Sequence, residues 1–463
     1  MDKKDIMPFH LFQHQGKHYL INIERMCTSA VDETTAEVLE MMVTQPETLL
    51  PLGIEEKLKK LGITSEGSQK RKEPAKKDTS PITYLCLLLT QSCNLKCIYC
   101  YGDAGKYGTG GKMDEKTAFQ AVDWFIEKSG NIKKLRIIFF GGEPFLNFSL
   151  MKAVVEYAEK SVAKIGKKVT FNVTSNGTLL DDEKIAFIKE HRLDVMISFD
   201  GPKDVQDAQR PYANGHGSFD STVPKIKRLL EVLPEAPAHA VIMGNTDPES
   251  VKDALEVIGF TRLSIAPSSK SLFTEEMDGT KQARDTHTLV GALEEESETW
   301  LHLIKDRDSE ALKKLTTRSE LYKGLISLLH NAKRHHACGA GRSLVAVSSS
   351  GDVYLCHRFV GLDEYRLGSI CDQNLNREEY QKSLINVNEI CGACFARYYC
   401  GGGCKHDNAS SCGLVSTPDK NMCRLKCREL ELAATIISRL DTEDRAFLVD
   451  YKIFPPKPCP LDF

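Results

Sequence analysis

The spacing of apolar and polar residues changes near Pro81, and from there six apolar runs alternate with segments of helical spacing. The runs are Ile82–Leu89, Leu135–Phe140, Val169–Val173, Val195–Phe199, Ala238–Met243 and Leu263–Ala266, and the helical segments lie near 114–129, 149–164, 182–191, 219–233 and 249–258. Apolar strands that are buried on both faces and separated by helices are typical of a parallel sheet or barrel. The pattern therefore predicts an α/β fold with six strand and helix units over 81–267.

The residues before this part predict a small α+β module over 1–64. Three short strands at Phe9–Gln13, Lys17–Ile23 and Met26–Val31 are followed by helical spacing in 32–42 and 54–61. The segment 65–80 is polar, charged and without periodicity, so it is interpreted as a linker.

The residues after the six units are charged and helical at first, and then rich in cysteine. The segment 268–337 contains helical spacing in Leu289–Asp306 and Ser309–Asn331, and we expect it to bridge to a cysteine-rich region over 338–440. An amphipathic helix is predicted for Leu425–Leu440, and the remaining 441–463 form a tail.

Composition excludes several classes of function. A chain of 463 residues with 41% hydrophobic and 27% charged residues has room for two or three domains with a large core. Its net charge of -3 gives no reason to expect nucleic acid as a partner. Because it lacks an apolar run of membrane length and the apolar segment of a secretory signal, we expect a cytoplasmic protein with no membrane partner.

Cysteine is the residue type that points to chemistry. The chain has 16 cysteines, most of them in 93–100 and 338–427. Disulfides are rare in a reducing compartment, so these clusters favour metal or redox chemistry. The first cluster, Cys93, Cys97 and Cys100, has the spacing CxxxCxxC. Three thiolates hold three irons of a 4Fe-4S cube and leave the fourth iron open to a small molecule, whereas an electron-transfer cluster uses four cysteines.

Other motifs follow the next strands, at the rim where parallel barrels place their active sites. They are Gly141-Gly142-Glu143-Pro144, Thr174-Ser175-Asn176-Gly177 and Ser198-Phe199-Asp200-Gly201. In this order and context the chain resembles the radical S-adenosylmethionine (SAM) superfamily, which implies a partial (β/α)6 radical SAM barrel. By this resemblance the three cysteines bind the cluster and are catalytic, and the SAM contacts are Tyr101, Gly142, Glu143, Ser175, Asn176, Ser198, Asp200 and Arg210.

The second cysteine region resembles the SPASM domain, which holds two auxiliary 4Fe-4S clusters. Its spacing is Cys338-x12-Gly351-x4-Cys356, a gap, then Cys391-x2-Cys394-x5-Cys400-x3-Cys404, and later Cys412, Cys423 and Cys427. The resemblance implies that Cys338, Cys356 and Cys404 bind auxiliary cluster I and that Cys391, Cys394, Cys400 and Cys423 bind auxiliary cluster II. Paired zinc ligands are the alternative. We expect three 4Fe-4S clusters in all.

Two ligand positions stay open at this point. The sulfatase-modifying relatives have a further cysteine shortly after the first of the series, but Gly339–Leu355 contains none, so cluster I is expected to keep an open iron for a substrate thiolate. Residues that can fill this position instead are His335, His336, His357, Cys371 and Cys412. Cys427 competes with Cys423 as the last ligand of cluster II.

The front module resembles the winged peptide-recognition element of peptide maturases, which implies that it binds a leader peptide as an added strand. A small domain that serves only stability or dimerisation is the alternative. The combined resemblance is to thioether-forming maturases of ribosomally synthesised precursor peptides, of the sactipeptide, ranthipeptide or SCIFF type. We therefore expect a radical SAM oxidoreductase that forms a cysteine thioether through a 5′-deoxyadenosyl radical, with flavodoxin or ferredoxin as reductant. Carbon-carbon or carbon-oxygen crosslinking, epimerisation and sulfatase-type formylglycine formation are alternatives, and a non-catalytic electron-transfer protein is the alternative of another class.

Overall fold

The computed structural model describes residues 6–45, 51, 53–64, 80–273 and 286–455. Its strands are β1 (Phe9–His14), β2 (Lys17–Asn22), β3 (Cys27–Val31), β4 (Tyr84–Thr90), β5 (Lys134–Gly141), β6 (Lys168–Ser175), β7 (Asp194–Ser198), β8 (Ala238–Ile242), β9 (Leu263–Pro267), β10 (Leu344–Val347), β11 (Asp352–Tyr354) and β12 (Arg366–Ser369). They form a three-stranded sheet in the order β1-β2-β3 and a nine-stranded sheet in the order β12-β11-β10-β4-β5-β6-β7-β8-β9.

Helices follow most of these strands. They are α1 (Glu33–Thr44), α2 (Ile54–Lys60), α3 (Glu115–Lys128), α4 (Phe148–Ala163), α5 (Asp182–Glu190), α6 (Lys203–Gln209), α7 (Phe219–Val232), α8 (Pro248–Ile258), α9 (His287–Lys305), α10 (Ser309–Thr316), α11 (Leu321–Leu329), α12 (Leu384–Val387), α13 (Glu389–Ala393), α14 (Arg397–Cys400), α15 (Lys405–Cys412), α16 (Lys420–Ser438) and α17 (Thr442–Asp450). None of the helices in the described ranges is long and apolar enough to cross a membrane.

The six predicted strand and helix units are confirmed as the parallel strands β4 to β9. Their outer side chains pack on the helices and form the main core, which includes Leu87 of β4 and Phe139 of β5. Inner side chains such as Cys86, Leu88 and Phe140 belong to a second apolar cluster inside the curved sheet. Apolar residues on both faces of a strand are what a parallel sheet covered on both sides requires.

The cysteine-rich region continues the same sheet. Strand β10 pairs with β4 in parallel, with Leu344 opposite Tyr84, and β11 and β12 extend it in antiparallel order. This pairing was not predicted from the sequence, because β10 is short and lies far from β4 along the chain. It attaches the second cysteine region directly to the strand that leads into the first cysteine loop.

The front module is an antiparallel sheet covered on one face by α1 and α2, as the sequence predicts. Its own apolar core includes Leu20, Leu39 and Leu58. Strand β3 lies on α16, where Thr28 Oγ1 is 2.8 Å from Ser438 Oγ. The predicted linker over 65–80 lies outside the described residues except for Ser80.

Two predicted elements differ in the structure. The helical segment Ser309–Asn331 is two helices, α10 and α11, because the chain turns at Ser319. There the Ser319 hydroxyl accepts from Trp300 Nε1 and caps Tyr322 N–H, while Leu263 N–H donates to Thr317 O.

The tail contains α17, whose N-terminus is a capping box of Asp441 and Asp444. That Asp-x-x-Asp signal is visible in the sequence and was missed.

Candidate active site

The three cysteines of the CxxxCxxC run lie on the loop that follows β4. Cys100 N–H donates to Cys97 O (3.1 Å) and Ile98 N–H donates to Gln209 O (3.0 Å), so the loop is held both internally and against the end of α6. Burial raises the pKa of Cys93 to about 12 and the pKa of Cys97 to about 11. The charges of Cys97 and Cys100 add to the rise in the pKa of Cys93, so the three thiols lie within electrostatic reach of each other.

These thiols line a cavity of about 1030 Å³ inside the curved sheet, at the upper end of the usual size of a ligand pocket. The structure brings most of the predicted SAM contacts to the same cavity. The predicted residues that line it are Cys93, Cys97, Cys100, Tyr101, Gly142, Ser175, Asn176, Ser198 and Arg210. Glu143 and Asp200 are completely buried, and the cavity lining does not include them.

Glu143 is a buried acceptor that joins two rim loops. Its carboxylate accepts from Phe145 N–H (3.2 Å), Ser175 Oγ (2.9 Å) and Asn176 N–H (2.8 Å), so it holds the loop after β5 to the loop after β6. Burial raises the pKa of Glu143 to about 7. In this structure the carboxylate therefore positions Ser175 and Asn176, both of which line the cavity.

Gly142 lets the loops after β4 and β5 touch. Glu143 N–H donates to Ser92 O (2.9 Å), and a Cβ at Gly142 would lie 2.0 Å from the same oxygen. Any side chain there would push the first cysteine loop away from β5. The glycine is thus required by a close backbone approach beside Cys93.

Asp200 has the same supporting role on the opposite side of the cysteine loop. Its carboxylate accepts from Tyr99 OH (2.6 Å) and Val241 N–H (3.0 Å), and Oδ2 lies 3.0 Å from Arg210 Nε without hydrogen-bond alignment. Arg210 Nη1 is 4.0 Å from Cys97 Sγ, and its guanidinium lies over the Tyr99 ring. Sequence reasoning missed Tyr99, although it is the aromatic residue between the second and third cysteines.

The second cysteine region reaches the same cavity through Arg358, His357 and Asp407. Burial and the nearby charges of Cys404 and Cys338 raise the pKa of Cys356 to about 12, so the structure brings these three predicted ligands together. Their surroundings include Arg358, whose Nη1 donates to Cys404 Sγ at 3.4 Å.

The residues considered for the open position of this group lie in different places. The ring of His357 packs 4.3 Å from Phe140 inside the barrel, and burial lowers the pKa of His357 to about 3. His335 packs edge-on against Tyr398, and the Cys412 thiol donates to Pro418 O. The backbone of His336 lies against Gly401, and Cys371 is exposed just after β12.

A second set of cysteines lies around the N-terminal turns of α16. Burial and the charges of Cys400, Cys394 and Cys391 raise the pKa of Cys423 to about 12. Cys427, one helical turn later, has its sulfur 4.0 Å from Cys394 Sγ. The hydrogen bond between these two thiols lowers the pKa of Cys394 and raises that of Cys427. Cys423 is thus close to all three earlier cysteines of this set.

The donor chemistry of these sites fits iron–sulfur clusters. Thiols are the ligands that such clusters use, and each thiolate binds a different iron, so the sulfurs need not converge on one point. In the described part of the chain, no three histidine, cysteine, aspartate or glutamate side chains converge as a single metal ion requires. The serine, asparagine and arginine side chains of the cavity are suitable partners for the hydroxyl and carboxylate groups of SAM.

Comparison with known proteins gives the family. The radical SAM superfamily model matches residues 87–258. An uncharacterized protein of Methanocaldococcus jannaschii, MJ0907, is 30% identical over 292 residues, which cover 63% of this chain and 90% of that protein. The cysteine-type anaerobic sulfatase-maturating enzyme of Clostridium perfringens strain 13 is 24% identical over 358 residues, which cover 70% of this chain and 89% of the enzyme.

A solved structure has the same fold. It is native anSMEcpe with bound AdoMet and Kp18Cys peptide, which aligns with a TM-score of 0.61 at 22% identity and covers 77% of this chain and 98% of that chain. The predicted α/β radical SAM fold is therefore confirmed.

Proposed function

The chain belongs to the radical SAM superfamily, whose members bind SAM and a 4Fe-4S cluster, and on that premise we propose that it modifies a ribosomally synthesised precursor peptide. The modification that we propose is a cysteine thioether. One observation carries the proposal: a single cavity is lined both by the CxxxCxxC thiols and by Arg358, His357 and Asp407 of the second cysteine region. A substrate in that cavity would lie between two sets of iron ligands.

When bound, the cluster and SAM supply a 5′-deoxyadenosyl radical by one-electron cleavage of the sulfonium. Cys93, Cys97 and Cys100 would hold the cluster, since they are half-buried, mutually close and at the cavity wall. Ser175, Asn176, Ser198 and Arg210 would orient SAM, and Tyr101 and Gly142 would shape its site. Glu143 and Asp200 would act through the residues that they hold.

Thioether formation fits the ligand count of the second region. The reaction takes one hydrogen atom from a peptide carbon and one proton from a cysteine thiol, joins the sulfur to that carbon, and leaves one electron to be passed on. Cys338, Cys356 and Cys404 supply three ligands for auxiliary cluster I, so a substrate thiolate would have an iron to bind. Cys391, Cys394, Cys400 and Cys423 would hold auxiliary cluster II, and that cluster would supply the acceptor for the electron.

The front module would bind the leader segment of the peptide. Strands β1 and β3 are the two outer strands of its sheet, and an added strand can pair with an outer strand. The module is fixed to the second cysteine region: Glu24 accepts from Arg397 Nη2 (2.7 Å), and His10 stacks on Phe395. A leader segment bound to the module would thus be tethered near the cavity, which would raise the local concentration of the rest of the peptide there. A flavodoxin or ferredoxin reductant and a cytoplasmic location belong to the same proposal.

Sulfatase-type oxidation of a cysteine to formylglycine is the second candidate. The similarity to the sulfatase-maturating enzyme over 70% of this chain favours it. Two features favour the thioether instead: Gly339–Leu355 contains no cysteine, and the chain has the front module.

The test begins with the anaerobically reconstituted protein, dithionite and SAM. We expect 5′-deoxyadenosine and methionine as products and about twelve irons per chain. About four irons with full SAM cleavage would remove the auxiliary clusters from the proposal, and intact SAM with full iron would overturn the proposal entirely.

The second step uses a cysteine-containing precursor peptide and a cysteine-containing sulfatase peptide. Loss of two hydrogens from the precursor after disulfide reduction, with the cysteine still blocked to alkylation, supports the thioether. An aldehyde that reacts with a hydrazide, formed only on the sulfatase peptide, would decide for formylglycine. Incorporation of one carbon-bound deuterium from solvent, without a new crosslink, would indicate epimerisation.

A further inference from the structure

Arg358 joins the two cysteine regions. Its Nη1 donates to Asp407 Oδ1 (2.9 Å) and to Cys404 Sγ (3.4 Å), and the central carbon of its guanidinium lies 4.7 Å from the centroid of the Tyr101 ring. Tyr101 directly follows Cys100, whereas Cys404 belongs to the second region. A single cation, whose side chain is 16% exposed, therefore contacts a proposed auxiliary ligand and the neighbour of a proposed SAM-cluster ligand.

Asp407 is held in place from the barrel. Its Oδ1 accepts from Ser269 Oγ at 2.9 Å as well as from Arg358. Ser269 follows β9 and lines the same cavity. The arginine and the aspartate thus form an opposite-charge pair at the junction of the barrel and the cysteine-rich region, with the cation next to the sulfur.

We propose that Arg358 is a positioning residue that raises the reduction potential of the cluster held at Cys404, and that Asp407 opposes it. This inference rests on the proposed auxiliary cluster at Cys338, Cys356 and Cys404. A cluster gains one negative charge on one-electron reduction. An N–H donor and a positive charge beside a ligand sulfur stabilise that reduced form, whereas a carboxylate nearby destabilises it.

The geometry distinguishes arginine from lysine at this position. The planar guanidinium stacks on Tyr101 while its nitrogen reaches both the carboxylate and the sulfur. An ammonium group is a compact charge with no flat face, so it would keep the charge without the stack. Lysine should therefore give an intermediate potential.

A residue that only holds the two regions together would give a different result. Loss of such a contact would change stability and cluster occupancy, but it would not shift the potential in opposite directions for Arg358 and Asp407. The sign of the shift is therefore the decisive readout.

The experiment is an anaerobic redox titration of the reconstituted full-length protein, followed by electron paramagnetic resonance, with iron counted in each sample. The variants are R358M, R358K and D407N, and R366K is the matched control. Arg366 is an exposed residue of β12 and pairs with Asp352 of β11. We expect the midpoint of one auxiliary signal to become more negative in R358M, less so in R358K, and more positive in D407N. R366K should leave it unchanged.

Unchanged midpoints at full iron, or shifts of the same sign in R358M and D407N, would overturn the inference. If R358M does not fold, R358K and D407N still test the two signs. An iron content near four with only the SAM-responsive signal would overturn the proposed auxiliary clusters themselves, which is a separate failure from an unshifted potential.

Discussion

The two cysteine regions are built in different ways. The first places three cysteines within one loop after β4, and its neighbours Glu143 and Asp200 are fully buried and held by protein donors. The second collects its cysteines from 338–427, with Cys356 just after β11 and others on short helices and on α16, and it contains more thiols than two clusters need. The first geometry is therefore encoded locally, whereas the second depends on the packing of distant segments.

Removal of one thiol from the first region should have the largest effect. We expect C97A to abolish SAM cleavage and to lower the iron content by about four per chain, because two thiolates cannot keep the cube in place. C27A is the control: Cys27 is a half-buried thiol of β3, so its loss should leave iron and cleavage unchanged. Retained cleavage in C97A, measured as 5′-deoxyadenosine per chain, would refute the ligand assignment.

Removal of one thiol from the second region separates Cys423 from Cys427. Cys423 lies close to Cys400, Cys394 and Cys391, whereas Cys427 makes its sulfur contact with Cys394. We expect C423A to lower the iron content by up to about four per chain, since only three thiolates remain for cluster II, and C427A to keep nearly all of the iron. The reverse order would show that Cys427 is the fourth ligand of cluster II, and equal losses would contradict the assignment to Cys423 alone.

The buried carboxylate of Glu143 gives a smaller effect that is specific to the first region. In E143Q an amide nitrogen would face a backbone N–H donor, so we expect a loss of about 1–3 kcal/mol of stability. SAM affinity should fall with it, since Ser175 and Asn176 lose their common partner. E156Q, a change of an exposed side chain on α4, is the control in thermal unfolding and SAM titration.

The pH dependence of stability checks the same residue. The pKa of Glu143 is raised from 4.5 to about 7, so between these values the folded chain binds more protons there than the unfolded chain. Its contribution to stability is present below pH 4.5 and is lost as the pH rises toward 7. E143Q should therefore show a flatter fall of stability over this range than the wild type, and parallel curves would contradict the assignment.

The sequence predicts local features better than those made by long-range contacts. The six strands, their helices and the rim motifs follow from periodicity and from order along the chain. The supporting roles of Glu143 and Asp200 do not follow from the sequence. Whether such a carboxylate lines the cavity or is buried behind its loop depends on which neighbouring loop supplies its hydrogen-bond donors. The pairing of β10 with β4 and the contact of Arg358 with Cys404 likewise join residues that are far apart in the sequence. The pattern of a single sequence does not show which distant residues pair.

The contact between the front module and the second cysteine region should give the smallest effect. Glu24 accepts from Arg397 Nη2 (2.7 Å), Lys333 Nζ (2.9 Å) and Tyr398 OH (3.1 Å). Because these ion pairs and hydrogen bonds are partly exposed, we expect E24Q to weaken docking of the front module on the second cysteine region by about 1 kcal/mol. A precursor peptide should then show a KM raised by about five-fold or less, with kcat nearly unchanged.

This result would separate peptide capture from radical chemistry. SAM cleavage without peptide should be the same in E24Q and in the wild type, since the substitution leaves the cavity lining intact. E37Q, a change of an exposed residue on α1, should leave both the KM and SAM cleavage unchanged. If E24Q instead lowers SAM cleavage and leaves the peptide KM unchanged, the front module acts on the cluster at Cys394 rather than on the leader peptide. The two cysteine regions are then more tightly coupled than their separate construction implies.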